Sequence, residues 1–299
     1  MRFGVLGPLA VWTPSGDPVT VREARVRALL ACLLVAPGRV VSADRLVDDL
    51  WGEMLPANPS GALQTLVSRL RRAIGAGLVV HRPPGYLLDV PPNAVDSGRF
   101  AELTGRARRT TDPGGLTALL AEALGLWRGE AFAGFADEAF ASTAAAALEE
   151  QRLVAWEDYA GARLRLGDHA ILAAELGELV ERHPLRERLR AAHLRALHGA
   201  GRTTEALDNY RKLRRLLRDE LGLEPGTELT ALQQEMLRAE PPAPVQQQIP
   251  PAPPQTLPAP QTELVGRDDA VADVRALLCT HRLVTLTGPG GGGQDQARA

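Results

Sequence analysis

A proline- and glutamine-dense run, EPPAPVQQQIPPAPPQTLPAPQT, fills residues 240–262 and limits what the rest of the chain can become. Its few apolar side chains cannot offset the entropy of ordering it, so it reads as an extended linker. Three folded regions are expected around it. Residues 1–95 mix short strand-like and helix-like pieces. Residues 96–239 are rich in Ala, Leu, Arg and Glu and read as all-helical. Residues 263–299 look like the front edge of a further domain. The expected fold class is mainly α with small β elements.

The chain has 299 residues and a formal net charge of -2, so global charge does not announce a nucleic-acid partner. The distribution is more informative. Residues 1–95 carry ten Arg against seven Asp/Glu, a net +3. Of the two cysteines, Cys32 sits in the apolar run LLACLLV and reads as a buried, reduced thiol. Without a cysteine framework or metal-type spacing, the cytosol is favoured and no metal or cofactor is expected. The start, MRFGVLGPLAVW, lacks the regions of a signal peptide. No apolar run approaches the roughly 18 residues a membrane span requires.

Within the first region, FGVLGPLAVW and VTVRE read as strands around the turn PSGD. A helix follows over Ala24 to Val35, closed by Pro37 and Gly38. Ser42 is the expected N-cap of ADRLVDDLW, with Gly52 as its stop. Asn58 and Ser60 flank the start of GALQTLVSRLRRAIG. LVVHR and YLLDV then form a hairpin, with Pro84 and Gly85 placed for a type II turn.

Residues 62–74, ALQTLVSRLRRAI, carry the strongest functional signal. Leu63, Leu66, Val67, Leu70 and Ile74 recur at helical spacing and form one apolar face. The other face offers Gln64, Thr65, Ser68, Arg69, Arg71 and Arg72. No Asp or Glu occurs between Glu53 and Asp89, and His81 and Arg82 lie just before the hairpin turn. A helix docked on one side and offering Gln, Thr, Ser and Arg on the other suits the major groove. Arg pairs with guanine and Gln with adenine, while Ser and Thr contact base or phosphate. The preceding helix would complete a helix-turn-helix, and the hairpin a wing from which Arg82 reaches a phosphate or the minor groove. The alternative is a solvated amphipathic helix followed by a structural hairpin.

The pieces FGVLGPL, VVSADRLVDDLWG, ALQTLVSRLRR and PPGYLLDV, in this order and spacing, resemble the winged-helix DNA-binding domain of OmpR-type response regulators. They resemble more closely the variant in the Streptomyces antibiotic regulatory protein (SARP) family. OmpR-type regulators carry a receiver domain ahead of the winged helix; here the resemblance begins at the first residue.

In the helical region, YAGARLRLGDHAILAAEL (residues 159–176) aligns with HLRALHGAGRTTEALDNY (residues 193–210) at an offset of 34, matching Gly167 to Gly201 and Ala162 to Ala196. That period is the tetratricopeptide spacing; a generic helical bundle is the alternative. Trp127, Trp156 and Tyr159 read as core, and His169, His183, His193 and His198 show no metal-ligand pattern. ALGLWRGEAF, HPLRERLRAAHLRAL and GRTTEALDNYRKLRRLLRDELGLEPGTEL resemble the bacterial transcriptional activation domain that follows the winged helix in the same family. The resemblance covers residues 1–239. It implies a non-enzymatic transcriptional activator of a secondary-metabolite cluster. Its partners would be double-stranded DNA, bound by two copies as a homodimer on direct repeats, and RNA polymerase, with no membrane partner.

The tail LTGPGGGGQDQARA begins like a P-loop, with glycines at Gly288 and Gly293. Gln294 stands where the phosphate-binding Lys belongs, and Asp295 where the metal-binding hydroxyl belongs. With ELVGRDDAVADVRALL before it, the region resembles the opening of an NB-ARC ATPase domain. Read one base later, the codons of the tail can encode Gly-Lys-Thr-Arg-Leu-Ala, so a one-base insertion near codons 292–293 would account for both departures. Two other functions stay open: an ATP-dependent switch whose ATPase is truncated, and a repeat scaffold for protein contact.

Overall fold

The computed structural model describes residues 1–238 and the helix Asp268–Thr280. The chain divides into two compact units, Met1–Glu240 and Pro241–Ala299. The linker expected at 240–262 and the P-loop-like tail lie outside the described residues. In the second unit the described element is that helix, drawn from the stretch ELVGRDDAVADVRALL.

The first unit opens with two strands, β1 (Arg2–Gly4) and β2 (Ala10–Trp12), paired antiparallel with Phe3 opposite Val11. The expected strand FGVLGPLAVW is therefore a hairpin in itself. VTVRE is not a second strand. It contributes the bridge of Pro18 to Trp12 and one bond from the Val19 N–H to the Val11 carbonyl. Pro18 has no N–H to donate, which stops a ladder from growing there. What pairs with residues 5–7 comes instead from the helical region. Arg128 N–H donates to the Leu6 carbonyl and Phe132 N–H to the Val5 carbonyl, each at 2.7 Å.

Three helices follow: α1 (Ala24–Val35), α2 (Ala43–Trp51) and α3 (Pro59–Ile74). α1 buries residues on most of its circumference, which makes it the central helix of its layer. Its Cys32 thiol is pushed up to about 12 by burial, so it stays protonated. Ser42 caps α2 by accepting from the Arg45 N–H, and Gly52 ends it at a φ of +52°. A three-stranded antiparallel sheet, in the order β3 (Val41–Ser42), β5 (Gly85–Leu88), β4 (Val79–Arg82), completes the winged helix. The hairpin turn is not type II. The Pro83–Pro84 bond is cis, and Gly85 is the first residue of β5 rather than a left-handed turn position. The glycine is needed for another reason: a Cβ there would lie 1.9 Å from the Val41 carbonyl oxygen, where β3 crosses.

Seven further helices follow, α4 (Asp96–Ala107), α5 (Pro113–Leu124), α6 (Ser142–Leu166), α7 (His169–Arg182), α8 (Glu187–Gly199), α9 (Thr203–Leu221) and α10 (Thr227–Arg238). The 34-residue repeat is visible in the turns. Gly167 N–H bonds the Leu164 carbonyl and Asp168 N–H that of Arg163. Thirty-four residues on, Gly201 N–H bonds His198 and Arg202 N–H bonds Leu197. Both glycines have a positive φ, +81° and +78°, and both aligned alanines, Ala162 and Ala196, are fully buried.

Two hydrophobic cores interlock. One gathers α1, α2, α3 and the sheets, and takes in Phe132, Phe140 and Ala145 from the helical region. The other gathers α4 to α10 and takes in Leu6 from the first hairpin. Tyr159 is buried in the second core, with Trp127 and Trp156 packed against it. Among the described residues no group of His, Cys, Asp or Glu is arranged to hold a metal ion. No helix there is long and apolar enough to cross a membrane.

Candidate nucleic-acid interface

The ends of α3 are set by local chemistry. Asn58 Oδ1 accepts from the Gly61 N–H at 2.9 Å, and Pro59 occupies the first turn, where its missing N–H costs nothing. Gly75, at a φ of +111°, ends the helix. Between these ends Leu63, Leu66, Val67, Leu70 and Ile74 are buried. Five buried side chains of this size contribute on the order of 1.5–3 kcal/mol each, which fixes the rotation of the helix about its axis.

That rotation leaves Gln64, Thr65, Ser68, Arg69 and Arg72 together on the exposed side. Gln64, Ser68 and Arg72 have no side-chain hydrogen bond or ion pair among the described residues. Thr65 is exposed, and its Oγ1 donates to the Gly61 carbonyl at 2.9 Å, which leaves the oxygen able to accept. Arg69 Nη1 meets Glu23 Oε2 at 2.5 Å.

Arg71 departs from the expected face. It is half-buried, and its Nε–H donates to the Val79 carbonyl at 2.9 Å. It belongs to the joint between α3 and β4. Arg82 pairs with Gly85 in the ladder at the end of β4, next to the turn, and its exposed side chain has no hydrogen-bond or ion-pair partner among the described residues. His81 beside it stands edge-on to Tyr86, their ring centroids 5.1 Å apart.

Two residues that sequence reasoning passed over shape this region. Glu23 comes from the N-cap of α1, 46 positions before Arg69, and nothing local in the sequence links the two. Asp96, the first residue of α4, accepts from the Val5 and Leu6 N–H groups at 2.8 and 3.1 Å and from Arg128 Nη2 at 3.0 Å. It joins the segment that follows β1 to the helical region. An Asp at a helix start was readable as a terminus signal; its long-range partners were not.

Comparison with known proteins fits this architecture. Residues 18–88 match the family described as transcriptional regulatory protein, C terminal, and residues 95–237 match the bacterial transcriptional activator domain. Regulatory protein DnrI of Streptomyces peucetius is 38% identical over 255 residues, covering 81% of this chain and 93% of DnrI. The chain belongs to the SARP family of transcriptional regulators. Another SARP relative, regulatory protein AfsR of Streptomyces coelicolor, is 40% identical over 245 residues, 81% of this chain and 24% of AfsR. The chain thus spans about a quarter of that longer protein. A solved structure of Mycobacterium tuberculosis EmbR, in complex with a low-affinity phosphopeptide, superposes with a TM-score of 0.74 at 33% identity. That match covers 80% of this SARP chain and 65% of EmbR.

Proposed function

We propose that this chain is a transcriptional activator that binds duplex DNA sequence-specifically, with α3 in the major groove and the β4–β5 hairpin as a wing. The reading is carried by one observation: Gln64, Thr65, Ser68, Arg69 and Arg72 share the exposed side of a helix whose other side is fully docked. Those side chains have the donors and acceptors for base edges and phosphates. Arg82 contacts the backbone from the wing. Arg71 supports the pair without touching DNA.

Two copies bind direct repeats as a homodimer, and the helical region holds the copies together or contacts RNA polymerase. The target is a secondary-metabolite gene cluster, as membership of the Streptomyces antibiotic regulatory protein family suggests. A gel-shift titration tests the core of this reading. The probe is a duplex that the protein itself selects from a randomised pool, with unrelated competitor DNA, at two salt concentrations. A specific shift that weakens steeply with salt is expected, because several phosphates release counterions. A folded protein that selects no sequence would contradict it.

A further inference from the structure

We propose that Glu23 is a specificity-determining residue: it holds Arg69 for a base and penalises its use on phosphate. The inference rests on the DNA-binding reading above and deepens it. Glu23 occupies the N-cap of α1, yet its carboxylate caps nothing there. It reaches instead to Arg69 on α3, at 2.5 Å through Nη1. It is the acid that meets the exposed side of α3, whose own segment has none from residue 54 to residue 88. Both side chains are about half exposed, at 46% and 52%, so the pair lies where DNA would approach rather than in the core.

An exposed pair of this kind adds only about 0–1 kcal/mol to stability, so its consequence lies elsewhere. A guanidinium has five N–H donors in a rigid fork. Glu23 takes one nitrogen, and Nε and Nη2 of Arg69 have no partner among the described residues. A free arginine must freeze several rotatable bonds to reach a base; a held one has already lost much of that freedom. Arg69 can therefore keep Glu23 and present its remaining donors to a guanine edge.

The same carboxylate acts against the wrong sequence. If no guanine is in place, Arg69 can gain only by turning to a phosphate. That leaves Glu23 unpaired beside a polyanion, and an interaction that leaves a like charge unpaired is a repulsive element that favours the right partner by disfavouring the others. Glu23 is a positioning residue, since it acts through Arg69 rather than on DNA.

The test compares the full chain with Glu23→Gln, Arg69→Ala and the double variant. Binding is measured by fluorescence anisotropy on the duplex selected by the wild-type protein and on a scrambled duplex of the same composition. Thermal melts confirm that each variant folds. Glu23→Gln should tighten binding to the scrambled duplex, by about threefold, because a charge repelling phosphate is gone. It should lower the selected-to-scrambled affinity ratio about tenfold, the scale of one good base contact. Arg69→Ala should lower that ratio by a similar factor, and the double variant should lower it no further. A wild-type preference that Glu23→Gln leaves intact, or losses that multiply in the double variant, would overturn this inference alone. A wild-type protein with no preference between the duplexes would overturn the DNA-binding reading and this inference together.

Discussion

Arg71 and Val79 join α3 to the first strand of the hairpin through one hydrogen bond, from the arginine Nε–H to the valine carbonyl at 2.9 Å. The bond fixes the last turn of the helix relative to the wing. Arg71→Ala should therefore destabilise the fold by about 1.5–3 kcal/mol, the range for a hydrogen bond made by a charged group. Arg71→Lys should not fully restore it, because an ammonium lacks the planar Nε–H geometry. Denaturant unfolding curves measure both.

The exposed residues should behave in the opposite way. Arg72→Ala and Gln64→Ala should change stability by less than about 0.5 kcal/mol, since both are surface side chains without partners. Each should cost about 1–3 kcal/mol of affinity for the selected duplex if it reads a base. Arg82→Ala should weaken binding to all duplexes alike and reduce the slope of affinity against salt by about one. Parallel melts and salt-titrated binding separate the three.

Asp96 closes the seam between the first hairpin and the helical region. Its carboxylate accepts from two backbone N–H groups and from Arg128, and its side chain is 11% exposed. Asp96→Ala leaves the Val5 and Leu6 N–H groups without acceptors and should cost about 2–4 kcal/mol. The loss should appear in urea unfolding followed by tryptophan fluorescence, to which Trp12, stacked under Arg128 at this seam, contributes.

Gly85 admits no side chain. A Cβ would sit 1.9 Å from the Val41 carbonyl oxygen, which is backbone and cannot swing away. Gly85→Ala should force β3 and β5 apart and destabilise by about 3 kcal/mol or more. Gly167→Ala and Gly201→Ala meet no neighbour but carry a positive φ, so each should cost only about 1 kcal/mol. Near-equal losses at those two sites would reflect their equivalent places in the repeat. Thermal melts of the three variants check the order.

His193 is buried among α7 and α8 side chains, and burial first, then the nearby Arg190 charge, lowers its pKa below 6.5. The folded state holds it neutral, while the unfolded chain protonates near its ordinary value. Its contribution is intact above about pH 6.5 and is lost as the pH falls below that value. Stability measured by denaturant unfolding should therefore drop between pH 7 and pH 5.5. His193→Gln should flatten the slope in that window, whatever it does to stability at pH 7.

What the sequence made legible was chiefly local. α1, Ser42, Gly52 and Asn58 were readable because caps, stops and apolar spacing lie within a few residues of the elements they define. The face of α3 was readable because a docked amphipathic helix reveals its own rotation. Features made by distant chain were not. Residues 5 and 6, between β1 and β2, take their partners from residues 132 and 128, so the break inside FGVLGPLAVW was not visible and it looked like a single strand. Arg71 looked equivalent to Arg72 because the carbonyl that claims it belongs to a strand whose approach the helix alone does not specify. Glu23 was invisible as a partner of Arg69 for the same reason.

Chemical interference on the selected duplex shows which groove α3 occupies. Guanines methylated at N7, in the major groove, and adenines methylated at N3, in the minor groove, are compared between bound and free fractions. With α3 in the major groove, N7 methylation within each repeat should exclude the duplex from the bound fraction, and Arg72→Ala should remove the effect at one guanine. Interference confined to adenine N3, or none at guanine N7 with binding intact, would contradict the placement of α3 in the major groove.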